Sequence, residues 1–263
     1  MNRNCITSLN TDNLIFMKSC SDKKFSIAIV DPPYGINAPN MTMGSNPNRT
    51  QISSNGEKQY GGISVAQKIK GRLNSGGGKL KNRMLNKSEI GWDNEKPSEE
   101  YWKELFRIST NQIIFGSNYF YLPPTRGMFC WNKDQPWDNF SQFELAWTSF
   151  DVPAKLLTFS NRGGTNAETK IHPTQKPVEV YEYLIKTYVN AGESIIDTHS
   201  GSNSLAIAVL RQNTINSLGL KLTSLEINKS YFCDSEKRIE DFIKEHSPAE
   251  HQPVSKNGQL KFI

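Results

Sequence analysis

The sequence predicts an α/β protein with a doubly wound, mostly parallel sheet, and three stretches carry this prediction. Residues 27–30 form a short apolar run with β-branched residues, which is typical of a strand buried on both faces. Residues 194–211 indicate a strand, a glycine-bearing turn and a helix, and residues 222–226 indicate the next strand. A chain of 263 residues is long enough to bury such a core in one domain.

The first predicted elements are a short strand at residues 5–9 and a helix over residues 13–18 that Asp12 is placed to cap. The apolar run at 27–30 then stops at residues 31–35 (DPPYG). Two prolines cannot continue a strand ladder, because they lack the N–H group. An acid, a rigid turn and an aromatic ring therefore lie at the carboxyl end of a central strand, where open α/β sheets bind ligands.

Residues 36–90 form a long insertion directly after this turn, without a sustained helical or strand period. The insertion carries nine basic side chains against two acidic ones, so it more than accounts for the +5 formal charge of the chain. A loop of this length in a compact domain is usually functional or disordered. Because it leaves from the ligand edge of the sheet, we predict that it contacts phosphate groups; a solvated filler segment is the alternative.

Between residues 97 and 148 the sequence predicts one helix and three strands. Ser98 is a helix cap followed by two acids, and an apolar helical face extends to residue 108. Residues 112–116 predict a buried strand, and residues 127–132 and 143–148 predict two strands that can pair antiparallel. The segment 151–170 is expected to be a loop.

Six consecutive residues, 172–177 (HPTQKP), lead into the next amphipathic helix. Pro177 suits the first helical position, and apolar residues at i, i+3, i+4 and i+7 from Tyr181 form one face. A proline-rich lead-in explains the two prolines but not the polar residues between them. These polar side chains are therefore candidates for ligand contacts.

The turn at residues 197–204 (DTHSGSNS) is the second candidate ligand segment. Gly201 permits close approach of the backbone to a ligand, and Asn203 tolerates positive φ better than most residues. The following strand ends at Glu226, an acid placed to hold two ribose hydroxyls, and a helix over residues 231–244 follows. His199 has the ordinary alternative of filling space, so no catalytic role is assigned to it.

Composition indicates an intracellular protein. The four cysteines are scattered, with no C-x-x-C pair and no histidine at metal-ligand spacing, which indicates reduced thiols and no zinc site. The polar N-terminal residues do not resemble a signal peptide, and no apolar run approaches the length of a membrane span.

Residues 31–34 (DPPY) resemble the catalytic signature of the S-adenosylmethionine-dependent amino-methyltransferases of DNA. Residues 172–177 resemble the element of that family beside the methionine end of the cofactor, and residues 197–204 resemble its cofactor-binding turn, usually Asp-Pro-Phe-x-Gly-Ser-Gly. The turn departs from that pattern at Thr198, His199 and Asn203. The similarity covers most of residues 5–244.

The order of these motifs resembles the circularly permuted (beta) group, in which the catalytic turn precedes the cofactor motifs. The resemblance therefore implies a Rossmann-like methyltransferase sheet, and the compact chain is similar to phage and mobile-element enzymes. The implied organisation is one methyltransferase domain at 1–246, with 36–90 as a DNA-contacting insertion and 247–263 as a flexible tail. The implied location is the cytoplasm of a prokaryotic or phage-infected cell.

The resemblance implies roles for the matching residues. The Asp31 carboxylate and the Pro32 carbonyl accept the hydrogens of the exocyclic amine of adenine, which is a poor nucleophile because its lone pair is delocalised. Pro33 keeps the turn rigid, and Tyr34 stacks on the flipped base. The residues implied to hold S-adenosylmethionine are Asp12, Asp31, His172, Thr174, Gln175, Lys176, Asp197, Ser200, Gly201, Ser202, Asn203 and Glu226. For Asp12 a plain helix cap is the alternative.

The predicted function is site-specific methylation of adenine in double-stranded DNA. A cytosine exocyclic-amine methyltransferase is one alternative, although that group more often has Ser where Asp31 stands. A non-catalytic DNA-binding relative that lost its cofactor through the altered 197–204 turn is the other.

The C-terminal residues 259–263 (QLKFI) resemble the short Gln-Leu-x-Leu-Phe peptides with which bacterial DNA enzymes dock on the sliding clamp. Gln259 can hydrogen-bond at a pocket rim, while Leu260, Phe262 and Ile263 supply apolar anchors. The alternative is that these residues fold back onto the sheet edge.

Overall fold

A computed structural model describes residues 1–36, 51–52, 58–59, 93–134, 141–160 and 170–246. The strands within these residues are β1 (Ile6–Leu9), β2 (Phe25–Val30), β3 (Gln51–Ile52), β4 (Lys58–Gln59), β5 (Ser109–Phe115), β6 (Met128–Asn132), β7 (Phe143–Thr148), β8 (Lys155–Thr158), β9 (Ser194–Asp197) and β10 (Lys221–Leu225). The α-helices are α1 (Asn13–Lys18), α2 (Glu99–Ile108), α3 (Val178–Tyr188), α4 (Ser204–Asn216) and α5 (Lys229–His246).

Eight strands form one sheet in the order β1-β10-β9-β2-β5-β7-β6-β8. The five strands from β1 to β5 in that order are parallel, while β7 runs antiparallel to both β5 and β6. The strands β3 and β4 pair antiparallel in a separate two-stranded sheet. The predicted α/β architecture is therefore confirmed.

Helices cover both faces of the sheet, and successive apolar residues of the central strands point into the core on one face and then on the other. In β2, Ile27 and Ile29 join the core under α3, α4 and α5, whereas Ala28 and Val30 join the core under α1 and α2. The second strand residue, Ser26, is the half-buried exception. Burial on both faces explains the unbroken apolar run that the sequence contains.

The parallel sheet reverses its winding between β9 and β2. The helix α2 follows β2 and packs on one face, whereas α4 follows β9 and packs on the other. Open α/β sheets bind ligands at such a switch point, outside the carboxyl ends of the two strands. Asp31 follows β2 and Asp197 ends β9, so the fold brings both acids to this crevice.

Local signals in the sequence account for the helix starts. The Asp12 carboxylate accepts the N–H of Ile15 at 2.9 Å, and the Ser98 hydroxyl accepts the N–H of Tyr101 at 3.2 Å, as predicted for both caps. Pro177 is the N-cap of α3, one position before the predicted place.

Two strand predictions need correction. The strand predicted at 112–116 begins three residues earlier, at Ser109. The segment 151–170 was expected to be a loop, but Lys155–Thr158 forms β8, which pairs parallel with β6 at the sheet edge. Three of its four residues are exposed and the fourth is half-buried, so the strand lacks the alternation of buried and exposed residues that a sequence pattern reports.

Several predictions lie wholly or mostly outside the described residues: the basic insertion at 36–90, the tail at 247–263 and its segment Gln259–Ile263. The four cysteines are free thiols. Among the described residues, no helix combines the length and apolar character needed to cross a bilayer.

Candidate active site

The turn after β2 is held by a buried carboxylate from the far side of the insertion. Asp93 is 1% exposed, and its Oδ1 accepts the backbone N–H groups of Tyr34 (2.5 Å) and Gly35 (3.0 Å). Pro32 is buried and Pro33 is half-buried. The chain therefore returns from the insertion to clamp the turn, a contact that the sequence did not reveal.

The ring of Tyr34 lies in a seat made by the segment after β5. It stacks on Tyr119 with ring centroids 4.9 Å apart and an interplanar angle of 15°, and Phe120 packs edge-on at 6.1 Å. Gly116 has a φ of +69°, and a Cβ there would lie 2.1 Å from the Tyr34 ring. The Tyr34 hydroxyl donates to Asp31 Oδ1 at 2.5 Å.

A chain of four ionic side chains links the turn to the antiparallel strands. Lys176 Nζ contacts Asp31 Oδ2 and lies 3.0 Å from Glu144 Oε2, and Lys133 Nζ lies 2.6 Å from Glu144 Oε1. The Lys176 side chain is 4% exposed, and its ammonium lies 4.6 Å from the centroid of Phe115. We call Asp31, Lys176, Glu144 and Lys133 the ionic chain.

Burial and neighbouring charges act against each other in the ionic chain. Burial favours neutral Glu144, but the ammonium groups of Lys176 and Lys133 outweigh it and lower the pKa of Glu144 to about 2. Burial likewise opposes the charge of Lys176, yet its two carboxylate partners raise its pKa. Burial raises the pKa of Asp31 against the opposing effect of Lys176. Lys176 and Glu144 are therefore both charged at neutral pH.

The turn after β9 has the backbone that a close ligand approach requires. Gly201 and Asn203 both have positive φ, +50° and +55°. Glu226 Oε2 accepts the N–H of Gly201 at 2.9 Å, and its Oε1 accepts the N–H of Asn228 at 2.8 Å. Glu226 therefore ties the turn to the end of β10.

Buried polar groups surround this turn. The Ser200 N–H donates to the Leu225 carbonyl at 2.9 Å, and the Ser202 hydroxyl lies 3.2 Å from that of Ser204. Burial, together with the charges of Asp31 and Glu226, raises the pKa of Asp197 to about 7.

The segment 172–177 packs directly on the turn. The His172 ring lies edge-on to Tyr231 at 4.4 Å and would be 3.6 Å from a Cβ on Gly201. The Thr174 hydroxyl lies 3.2 Å from His172 Nδ1, and Gln175 Oε1 accepts the N–H of Ile171 at 2.9 Å. Burial, with a smaller effect of Lys176, lowers the pKa of His172 to about 3, so the ring is neutral.

A second buried polar group, which we call the His199 cluster, comprises His199, Asn13, Thr198 and Tyr101. His199 Nε2 lies 2.9 Å from Asn13 Nδ2, and its Nδ1 lies 3.0 Å from the Thr198 hydroxyl. The Tyr101 hydroxyl lies 2.7 Å from the Thr198 hydroxyl. Thr198 and His199 stand where the family usually has Pro and Phe. They lie within hydrogen-bonding distance of each other, and each also contacts a helix residue, Tyr101 of α2 or Asn13 of α1.

The structure brings most of the predicted residues together at the carboxyl edge of the parallel strands. Asp31 meets Lys176, and the 197–204 turn meets His172 and Glu226. Asp12 caps α1 and is near enough to His199 to oppose the lowering of its pKa. Glu144, Lys133 and Asp93 were missed, although a glutamate inside an apolar strand (FELAWT) is a signal that could have drawn attention to Glu144.

The residues at this edge fit S-adenosylmethionine, which carries a sulfonium and an ammonium group. Three carboxyl groups, those of Asp31, Asp197 and Glu226, follow or end neighbouring strands, and the first and last of these raise the pKa of the second. A cationic ligand would relieve this repulsion. In addition, Asn203 Oδ1 is buried without a hydrogen-bond partner.

Residues 94–237 match the DNA methylase family of N6 and N4 methyltransferases. The chain belongs to this family. The match covers more than half of the chain and includes the 172–177 segment and the 197–204 turn, but it begins after Asp31. The family uses S-adenosylmethionine as its methyl donor.

The type II methyltransferase M.HpaI of Haemophilus parainfluenzae is 31% identical to this chain over 88 residues. These residues make up 34% of this chain and 26% of M.HpaI, so the match spans about a quarter of the curated relative.

Two solved structures are similar over most of their length. The cytosine-N4-specific PvuII DNA methyltransferase has 15% identity and a TM-score of 0.49, covering 92% of this chain and 94% of that one. The complex of M1.HpyAVI with SAM has 14% identity and a TM-score of 0.46, covering 89% and 98%.

Proposed function

We propose that this protein transfers a methyl group from S-adenosylmethionine to the exocyclic amine of adenine in DNA, and that it is a circularly permuted member of its family. The observation that carries the proposal is the position of Asp31. Its carboxylate follows the strand at the switch point of the sheet, in a proline-braced turn that Asp93 clamps from the other side.

The Asp31 carboxylate and the Pro32 carbonyl act on the amine. Two acceptors that draw on its two hydrogens favour a pyramidal nitrogen with a localised lone pair, which is the nucleophile that the transfer needs. The amine nitrogen would gain the methyl group as its bond to the cofactor sulfur breaks, which leaves a neutral thioether. The nitrogen would lose one proton, and Asp31, which bonds to that hydrogen in this arrangement, would accept it. Such interactions accelerate the reaction because they are stronger in the transition state than in the ground state.

Tyr34 is proposed to stack on the flipped base. Its hydroxyl bonds to Asp31, so the ring and the carboxylate are fixed relative to each other. Stacking of one base is worth about 1–3 kcal/mol, which is comparable with the cost of extruding it from the duplex.

The cofactor is proposed to lie along the 197–204 turn. When bound, S-adenosylmethionine supplies an electrophilic methyl group. Glu226 would hold the ribose, Gly201 would let the backbone approach, and Asp197 would face a positive group. The other residues proposed to line this site are Asp12, Asp31, His172, Thr174, Gln175, Lys176, Ser200, Ser202 and Asn203.

DNA contact is assigned to the basic insertion at 36–90, because phosphate neutralisation dominates affinity for DNA. Docking of residues 259–263 on a sliding clamp is a separate proposal, since it concerns where the enzyme works and not what it does. The tail lies outside the described residues and the insertion lies mostly outside them, so each proposal rests on the sequence alone.

The test is to express the chain in a methylation-deficient bacterial host and to sequence its genomic DNA for modified bases. We expect N6-methyladenine at one recognition sequence, and none with the matched variant Asp31→Ala. N4-methylcytosine at a fixed sequence would establish the cytosine alternative. DNA that stays unmodified, while the purified protein binds DNA, would establish a non-catalytic relative.

A further inference from the structure

Both oxygens of Asp31 already have donors in this structure. The Tyr34 hydroxyl donates to Oδ1, and Lys176 Nζ contacts Oδ2. A carboxylate has about four acceptor sites, so a further hydrogen bond is possible, but an ammonium in contact with it draws on the same negative charge. Asp31 therefore becomes a better acceptor for the amine if its contact with Lys176 loosens when the amine arrives.

The two donors differ in their freedom to leave. The Tyr34 ring stacks on Tyr119 and packs against Gly116, so its hydroxyl stays where the ring is held. Lys176 lies on a flexible four-carbon stem, and a second carboxylate, that of Glu144, is already 3.0 Å from its nitrogen. The ammonium can transfer its contact without moving into solvent.

We propose that Glu144 is a positioning residue for methyl transfer, which takes over the Lys176 ammonium when the amine bonds to Asp31. Lys133, 2.6 Å from the other oxygen of Glu144, holds that carboxylate in place. The inference rests on the proposed function, because it explains how Asp31 becomes available.

Burial makes this second partner necessary. A buried ion that loses its partner is strongly destabilised, and Lys176 is 4% exposed. If the ammonium left Asp31 in a protein without Glu144, the Phe115 ring would be its remaining contact among those described above. A cation–π contact does not replace a carboxylate. The ammonium would then stay on Asp31 and compete with the amine.

The decisive experiment is a double-mutant cycle with Glu144→Gln and Lys176→Met, measured as single-turnover methyl transfer at saturating S-adenosylmethionine. We expect Glu144→Gln alone to slow transfer by at least about tenfold, because the ammonium then stays on Asp31. The cofactor Kd should be unchanged, because Glu144 is not among the residues proposed to hold the cofactor. In the Lys176→Met background the same substitution should change the rate by less than about twofold, since its effect acts through Lys176.

A second measurement does not depend on turnover: the carboxyl carbon of Asp31 is titrated by NMR in the ligand-free protein. Glu144→Gln removes a negative neighbour and ties Lys176 to Asp31, so the pKa of Asp31 should fall. Lys133→Met strengthens the hold of Glu144 on Lys176, so the pKa of Asp31 should rise. The titratable groups that face Asp31 are Tyr34, Lys176, Glu144, Tyr181 and Asp197. Of these, only Glu144 is substituted in the first variant, and none is substituted in Lys133→Met.

Three outcomes would overturn the inference: transfer by Glu144→Gln within twofold of wild type, equal effects of Glu144→Gln with and without Lys176, or Asp31 pKa shifts of the same sign in both variants. If Glu144→Gln does not fold, the test rests on Lys133→Met alone. An Asp31 pKa that is lower or unchanged in Lys133→Met then overturns the inference. A wild-type protein that methylates no DNA overturns the proposed function, and this inference with it. Wild-type activity with an equally active Glu144→Gln overturns the inference alone.

Discussion

The ionic chain and the His199 cluster are both partly buried groups of polar side chains at the ligand edge of one sheet, yet one is charged and the other neutral. In the ionic chain, two carboxylates flank the Lys176 ammonium and keep it protonated. In the His199 cluster, burial lowers the pKa of His199 to about 3, and each ring nitrogen lies within hydrogen-bonding distance of a neutral group.

This difference separates two uses of buried polarity. Neutral groups with satisfied hydrogen bonds fix one geometry, because any other arrangement leaves a donor or acceptor unpaired. A charge that contacts two partners can shift from one to the other, so it can move during a reaction. We therefore expect substitutions in the ionic chain to change the rate of transfer, and substitutions in the His199 cluster to change stability.

The largest expected effect is that of Asp31→Ala on the rate of transfer. Loss of the acceptor should lower single-turnover transfer by roughly 10²–10⁴-fold, the range for a positioned proton-transfer group. Calorimetric titration should show a much smaller effect on S-adenosylmethionine affinity, because Asp197 and Glu226 remain to face the cationic cofactor. If Asp31→Ala turned over within tenfold of wild type, neither Asp31 nor the ionic chain would have the proposed role in the reaction.

The next effect is on cofactor binding and concerns Glu226, which belongs to the turn and not to the ionic chain. Glu226→Ala should weaken S-adenosylmethionine binding by about 1.5–3 kcal/mol, because the ribose hydroxyls lose a charged acceptor and the turn loses its bond to Gly201. Transfer at saturating cofactor should fall much less. An unmoved dissociation constant would show that the cofactor lies elsewhere.

A smaller effect is expected for His199→Phe, which restores the residue usual in the family. The hydrogen bonds with Asn13 and Thr198 are lost, so denaturant unfolding at pH 7 should show a stability loss of about 1–3 kcal/mol. Transfer at saturating cofactor should stay within a few-fold of wild type. If His199→Phe slowed the transfer without lowering stability, the His199 cluster would not differ from the ionic chain in the way proposed above.

The effect that is smallest per unit of pH is a slope of stability with pH. Because the pKa of His199 falls from 6.5 to about 3 on folding, the unfolded chain binds more protons between these values. The contribution of His199 is complete above pH 6.5 and declines as the pH falls, by at most about 1.4 kcal/mol per pH unit. His172, which has the same sign, and Asp197, which has the opposite sign, are common to wild type and His199→Phe. The difference between the two proteins should therefore shrink on acidification, and a constant difference would contradict a neutral His199.

The strands at the switch point were predictable because their signals are local: an apolar run, a proline stop, a glycine turn. Asp12 and Ser98 were predictable for the same reason, since a helix cap involves residues three positions apart. The ionic chain was not predictable, because Glu144 and Lys176 become partners only through the antiparallel strands and the segment before α3. The edge strand β8 was missed because its side chains are mostly exposed.

Gly116 carries no functional group and lies 82 residues after Tyr34 in the sequence, yet the Tyr34 ring occupies the space that any side chain there would need. Its positive φ adds a second reason why other residues are unfavourable. In a library of all single substitutions selected for DNA modification, position 116 should be as intolerant as position 31. A map of mutational tolerance would then mark as essential an atom that the protein does not have.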